Sequence, residues 1–316
     1  MGSYVTQRGV QAGVLLLLVS LVGYAIMNLA PGGPLAIYLH NPQVTPEKID
    51  LLRHQLGLDQ PWHLRYVTWL GGLVSGHWGY SYYTGRPVLE MIGERLPATF
   101  MLMLSAFGLA IALSFPLGVL AATHKYSWGD NLLSLGSFFI WAMPTFWFGL
   151  MLQMALAVWW HLLPVAGMHD IDNRSVEDLV RHLAMPAMVL GIGSIASWSR
   201  YLRSGLLEVL GQDYVRTAYA KGLPWSRVIN RHVLRNSLIP IVTIMGLDLH
   251  VLFSGAVITE SIFGWPGMGR LFLSALNNRD YPLQMAGLII SAALLIVGNL
   301  LADLTYAALD PRIRYR

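Results

Sequence analysis

Between Glu208 and Pro240 the chain carries a dense run of groups able to contact a charged surface: Asp213, Tyr214, Arg216, Thr217 and Lys221, followed by Arg227, Arg231 and Arg235. Guanidinium, ammonium and hydroxyl groups donate hydrogen bonds to phosphate or carboxylate oxygens, so the chemistry on offer is recognition. Asp213 reads as the N-cap of a short helix over Tyr214–Lys221 that also contains Ala218. Lys221 falls in its last turn, where a cation suits the dipole, and Gly222 is a natural stop just beyond it. Pro224 then opens a second helical run in which the three arginines repeat every four residues, forming one basic stripe with Val228 and His232 beside it. Such a stripe suits lipid phosphates or an acidic protein surface.

Two further acidic groups stand out because their surroundings are apolar. Asp248 and Glu260 lie in the run from about Leu238 to Phe263, where an ionisable group is expensive enough that a place on a solute pathway is the first expectation. For Asp248, anchoring a neighbouring helix is an equal alternative. Asn299 and Asp303 are four apart, on one helix face, and are expected to hydrogen-bond another helix. His161, His169 and His182 show no metal-ligand spacing and are expected to be solvated loop residues, with no metal site. The chain has no cysteine, no H-E-x-x-H, no G-x-S-x-G and no G-x-x-x-x-G-K-[ST]. Thiol chemistry is thereby excluded and the common hydrolase and phosphate-loop signatures are missing.

These groups must be held by membrane helices. Of 316 residues, 55% are hydrophobic and only 12% charged, and the mean hydropathy is +0.51; soluble domains carry about 25% charged residues. Gly9 to Leu39, Leu96 to Thr123 and Asn131 to Trp160 contain no acidic residue, lysine or arginine, and each exceeds the roughly 18 residues that mark a candidate span. Further apolar runs cover about Leu183 to Leu202, Leu238 to Phe263 and Tyr281 to Leu309. The expected fold is all-α, with six spans and both termini on one side. Short-loop basic residues, among them Lys125, Arg200, Arg203, Lys221 and Arg231, gather on the side of the termini and make that side cytoplasmic. Prolines 116, 144 and 186 are expected to kink their spans, and Gly191, Gly193, Gly246 and Gly255 to allow close helix approach.

The whole chain, 1–316, reads as one transmembrane domain: an outer segment over 32–97, a core of spans over 98–309 and a cytoplasmic loop over 208–237. The outer segment has internal order. Thr45-Pro46-Glu47-Lys48 looks like a helix start and Gly57 its stop, and a second short helix is expected over Trp62 to Val74. Trp78, Tyr80, Tyr82 and Tyr83 suit an interfacial aromatic belt or a docking contact.

The run from Asp213 to Leu223, followed by Arg231-His232-Val233-Leu234-Arg235-Asn236-Ser237-Leu238-Ile239-Pro240, resembles the coupling-loop signature of bacterial ABC importer permeases of the dipeptide and oligopeptide class, in particular their first-permease, B-type subunit. Ala30-Pro31-Gly32-Gly33-Pro34 is similar to the turn after that family's first span, with Gly33 where Asp is commoner. Thr259 to Gly269, Arg279 to Pro282 and Asp303 to Arg314 resemble its later segments. Arg216 replaces the Glu of the broader superfamily, as is usual in the peptide branch.

The resemblance implies that this chain is half of a pore, in the bacterial inner membrane, moving peptides inward by alternating access. It implies a homologous second permease, two cytoplasmic ATPase subunits that bind ATP and Mg, and an extracytoplasmic substrate-binding protein; the chain itself would hold no cofactor, catalyse nothing and bind no nucleic acid. Asp213, Tyr214, Arg216, Thr217, Ala218, Lys221 and Gly222 are the implied ATPase contacts, and Asp248 and Glu260 the candidate pathway residues. Glutathione or a nickel or other metal chelate is the alternative cargo. A self-contained channel or secondary transporter is the alternative of another class, and it has no need of a capped cytoplasmic helix.

Overall fold

The computed structural model describes residues 2–29, 33–35, 44–55 and 57–309. The turn at Ala30-Pro31-Gly32 and the tail from Asp310 to Arg314 lie outside them, as does the side chain of Asp303. Within the described residues the chain is helical apart from turns and isolated bridges at Tyr80 and Pro87 and at Asp170 and Asn173. Helices Thr6–Leu29, Val88–Thr123, Val176–Leu210 and Tyr281–Leu300 are each long and apolar enough to cross a membrane. Leu234–Ile262 has 29 residues, about 43 Å at 1.5 Å per residue.

The stretch expected as a single span over Asn131–Trp160, kinked at Pro144, consists of two helices, Trp128–Ala142 and a second that runs from Thr145 to Trp159 and ends in a π turn. Together they make a broken span or a re-entrant pair. Their axes differ by 104°. Pro144 is the cause: its ring disfavours helical backbone at the residue before it, and Met143 sits at φ −89°, ψ 126°, in the extended region. Pro116 and Pro186, by contrast, lie inside the continuous helices Val88–Thr123 and Val176–Leu210.

The chain divides into two compact units. One contains Met1–Pro97 and Gly267–Ile296. Here Pro46–Gln55 begins at its proline, with Thr45 O accepting from Lys48 N and Ile49 N at 3.0 and 3.1 Å, and Gly57 follows it at φ +64°. Helix Trp62–Val74 docks on the first span through Tyr66, whose hydroxyl is 2.8 Å from Ser20 Oγ, while Tyr24 meets the Tyr66 ring edge-on. Val88, Met91 and Ile92 pack with Met268, Ala275, Leu283 and Ala286 into this unit's core. Buried Asp280 accepts hydrogen bonds from Ser81 Oγ and from Tyr82 N, the latter at 3.0 Å, which ties the Ser81 turn to the start of the last helix.

The other unit contains Ala98–Pro266 and Val297–Arg316 and is built around Val176–Leu210. Trp198, Leu202 and Leu206 are buried among Ile241, Met245 and Val233, and Phe107 meets the Trp198 ring edge-on at 5.3 Å. Lipid tails are as apolar as leucine, so membrane helices associate by close packing. A Cβ on Gly191 would lie 2.9 Å from Ala106 O, and one on Gly118 would lie 2.9 Å from Leu202 Cβ and Ser199 O. Those glycines let Val88–Thr123 and Val176–Leu210 touch backbone to backbone. Gly193, expected to serve the same purpose, meets nothing within 4 Å and faces a cavity instead.

Candidate functional site

The short helix forms at Asp213–Ala220, within a residue of the expected position. Its N-cap is Gln212 and not Asp213, which occupies the first turn and suits the positive end of the dipole. Lys221 is the C-cap, and Gly222 follows at φ +76° with its N–H donating to Tyr219 O at 3.0 Å. Val215 and Ala218, three apart on one face, are buried in the cluster that holds Leu202, Leu206, Val228, Ile229 and Val233. The helix is therefore seated on the transmembrane core by its inner face. Ala218, expected among the ATPase contacts, is buried in that anchor in this structure.

Asp213, Tyr214, Arg216, Thr217, Lys221 and Gly222 are exposed together on the outer side. Arg216 reaches Asp213 at 3.8 Å, and Asn236 Nδ2 donates to Tyr214 OH at 2.8 Å, bracing the helix against the start of Leu234–Ile262. Tyr219 stands over Trp225 in an edge-on pair at 5.9 Å, and both are exposed. Neither was marked by the charge pattern. Arg227, Arg231 and Arg235 are also exposed, but Val228–Val233 is a π turn, so the stripe runs along a widened turn and not a regular α-helix.

Asp248 is half-buried on Leu234–Ile262, and its Oδ2 accepts from Trp198 Nε1 at 2.6 Å. It also lines a cavity of about 350 Å³ with Trp141, Met143, Thr145, Gly193, Ser194 and Ser197. Asp248 therefore ties Leu234–Ile262 to Val176–Leu210 and also borders the cavity. Glu260 behaves differently. It has no exposed surface and accepts from Thr99 Oγ1 at 2.5 Å, beside Trp265, whose Nε1 donates to Ala98 O at 2.8 Å. In this conformation the Glu260 carboxylate is enclosed and ties Leu234–Ile262 to Thr99 on Val88–Thr123.

Two clusters went unmarked in the sequence. Asp130, 2% exposed, takes a two-pronged contact from Arg203, with Nε at 2.5 Å and Nη2 at 2.7 Å, and a further hydrogen bond from Tyr126 N at 2.8 Å. In the sequence Arg203 stands out only as a short-loop charge. The histidines also separate: His161 is exposed, but His182 is buried on Val176–Leu210 and His169 packs against buried Asp178. The expectation of solvated loop residues is wrong for His182, because the loop folds back over the helix start. In the first unit, Arg86 pairs with Glu94 and Glu90, and these carboxylates raise its pKa. Tyr80 and Tyr82 line a hollow of about 750 Å³ with Tyr24, Arg65 and Trp69.

Residues 114–315 match the family described as binding-protein-dependent transport system inner membrane component, and residues 1–103 match its N-terminal membrane component. The chain belongs to that family. The permease is 41% identical over 317 residues to the oligopeptide transport system permease protein AppB of Bacillus subtilis, covering 100% of both chains. It is 38% identical to the dipeptide transport system permease protein DppB of Escherichia coli K12, covering 94% of each. Its fold matches a chain of the MetNI methionine ABC transporter in inward-facing form, with a TM-score of 0.57 at 14% identity over 71% of the permease and 98% of that chain.

Proposed function

We propose that this permease is the B-type pore-forming subunit of an ATP-driven importer that carries dipeptides or oligopeptides across the bacterial inner membrane into the cytoplasm. Its relatives AppB and DppB bear the names of oligopeptide and dipeptide systems. The observation that carries the mechanism is the seated helix Asp213–Ala220, whose inner face is part of the transmembrane core while Tyr214, Arg216, Thr217, Lys221 and Gly222 point outward. A partner ATPase holding ATP and Mg grips that outer face, and its closure moves the core to which Val215 and Ala218 are fixed. A homologous second permease completes the pore, two ATPases drive it, an extracytoplasmic binding protein delivers the peptide, and both termini are cytoplasmic. Mass spectrometry of what co-purifies after gentle solubilisation from the native membrane tests this. Recovery of a second permease and one or two ATPases is expected; a pure homo-oligomer would return the chain to the channel or secondary-transporter class.

Asp248 supplies the charge in the cavity, and the Asp248→Asn variant separates its two roles. The amide oxygen still accepts from Trp198, so assembly is expected to survive. A charge-assisted hydrogen bond contributes about 1.5–3 kcal/mol, so loss of the anion is expected to lower uptake roughly tenfold or more if the ammonium end of a peptide pauses there. Unchanged uptake with normal assembly would leave Asp248 only the anchoring role.

A further inference from the structure

Two hollows in the first unit share their walls. The larger, of about 750 Å³, lies between the Leu29 end of the first span, helix Trp62–Val74, the turns over 77–85 and the start of the last helix. The smaller, of about 330 Å³, is an apolar groove lined by Leu18, Val19, Val22, Gly23, Ile26 and Leu288. The same two helices carry both. Tyr24 and Met27 of the first span and Tyr281 and Met285 of the last helix border the larger hollow, and Leu288, about one turn beyond Met285, borders the groove. Gly23 leaves room for the Leu288 side chain, which a Cβ there would strike, so the two helices meet at the floor of the groove.

The larger hollow is charged on one side only. Arg65 carries its fixed charge, and none of the described residues that line it is acidic. Arg65 is half-buried and shares one helix face with Thr68, Trp69 and Gly72, which line the same hollow. Its Nε is enclosed and finds no acceptor among the described residues. Buried donors nearly always have a partner, so an unpaired one calls for a group from outside the chain. The carboxylate nearest in sequence, Asp59, is engaged elsewhere, 2.5 Å from His54 Nδ1. Trp62, Leu64 and Val67 on the same helix are exposed, which puts apolar surface beside the cation.

We propose that the two hollows together bind one net-anionic phospholipid, its phosphate on Arg65 and one acyl chain along the groove. The lipid belongs to the leaflet at the Leu29 end of the first span, the outer one in the orientation proposed above. From Leu18 to Ile26 the helix rises about 12 Å, against about 15 Å for the hydrocarbon of one leaflet. Tyr24, Trp69, Tyr80 and Tyr281 then stand at headgroup level, where rings with polar tips are favoured. A guanidinium fork matches phosphate oxygens, and the hollow has no carboxylate to receive a headgroup ammonium. Bound there, the lipid fastens helix Trp62–Val74 to the first span and the last helix.

The test uses the assembly as purified from its native membrane, washed free of lipid in detergent. It is then offered phosphatidylglycerol, phosphatidylcholine with the same chains, or inorganic phosphate. Bound lipid counted by native mass spectrometry and the thermal midpoint are the readouts, and neither depends on what the assembly transports. The wild type is expected to hold phosphatidylglycerol about tenfold more tightly than phosphatidylcholine and to melt at a higher temperature with it. Arg65→Gln should lose that preference. Val22→Trp alters a side chain that is 54% exposed, fills the groove from the membrane side and should weaken retention of both lipids. Inorganic phosphate should leave the midpoint unchanged. Equal binding of the two lipids by the wild type, an undiminished preference in Arg65→Gln, or retention unaltered in Val22→Trp would each overturn the proposal. A shift with inorganic phosphate as large as that with lipid would do so too, since it would mark a site for a free anion.

Discussion

Arg203→Ala is expected to destabilise the permease by about 3–5 kcal/mol, the usual effect of removing one partner from a buried ion pair. Asp130 is 2% exposed, and its two carboxylate oxygens take both prongs of the guanidinium. Alanine removes the charge and both donors, leaving the carboxylate with the Tyr126 N–H in surroundings that do not solvate it. Arg203→Lys should fall between alanine and wild type, because an ammonium cannot reproduce the planar fork. Replacing both partners, as in Asp130→Leu with Arg203→Met, should recover most of the loss. Thermal unfolding in detergent reads all of these. A midpoint unchanged in Arg203→Ala would mean that Asp130 reaches water by a route this conformation does not offer.

Gly222→Val is expected to abolish uptake while leaving the chain inserted and its complex assembled. No atom within 4 Å awaits a Cβ at Gly222, so the effect is conformational and not steric. At φ +76° an L-residue costs about 1–2 kcal/mol and a β-branched one more, and the backbone relieves this by leaving the left-handed region. That move breaks the stop after Ala220, displaces Lys221 and shifts the outer face relative to Val215 and Ala218. ATP hydrolysis by the complex should then persist without driving transport. Gly222→Asn, which tolerates the left-handed region, should retain most uptake. Peptide uptake and hydrolysis measured together in vesicles decide the matter, and normal uptake in Gly222→Val would remove this helix from the coupling path.

The elements that were legible in the sequence are those with local signals. Pro46, Gly57 and Gly222 bound their helices because proline and glycine act on their own backbone, and the outer helix over Trp62–Val74 forms as its pattern indicates. Facing was less legible. Ala218 looked available on a short polar helix, yet it shares a buried side with Val215 because the anchor comes from Val228 and Val233 farther along the chain. Long-range pairs left no trace: Arg203 meets Asp130 across 73 positions, and Glu260 meets Thr99 across 161. A rare acidic group in an apolar run signals a constraint, but whether that constraint is a solute or a threonine depends on which helix lies beside it. The break at Pro144 was foreseen as a kink; its size depends on where the following helix finds packing, which no local residue encodes.

That corner has a further consequence, for water. The first turn of Thr145–Gln153 has backbone N–H groups with no partner inside the helix, and a proline before it offers no side-chain cap. Irregular backbone at membrane depth is tolerated where it lines a hydrated hollow, and Met143 and Thr145 line the same cavity as Asp248. Water entering that cavity can therefore take up the hydrogen bonds which the first turn of Thr145–Gln153 leaves unmade.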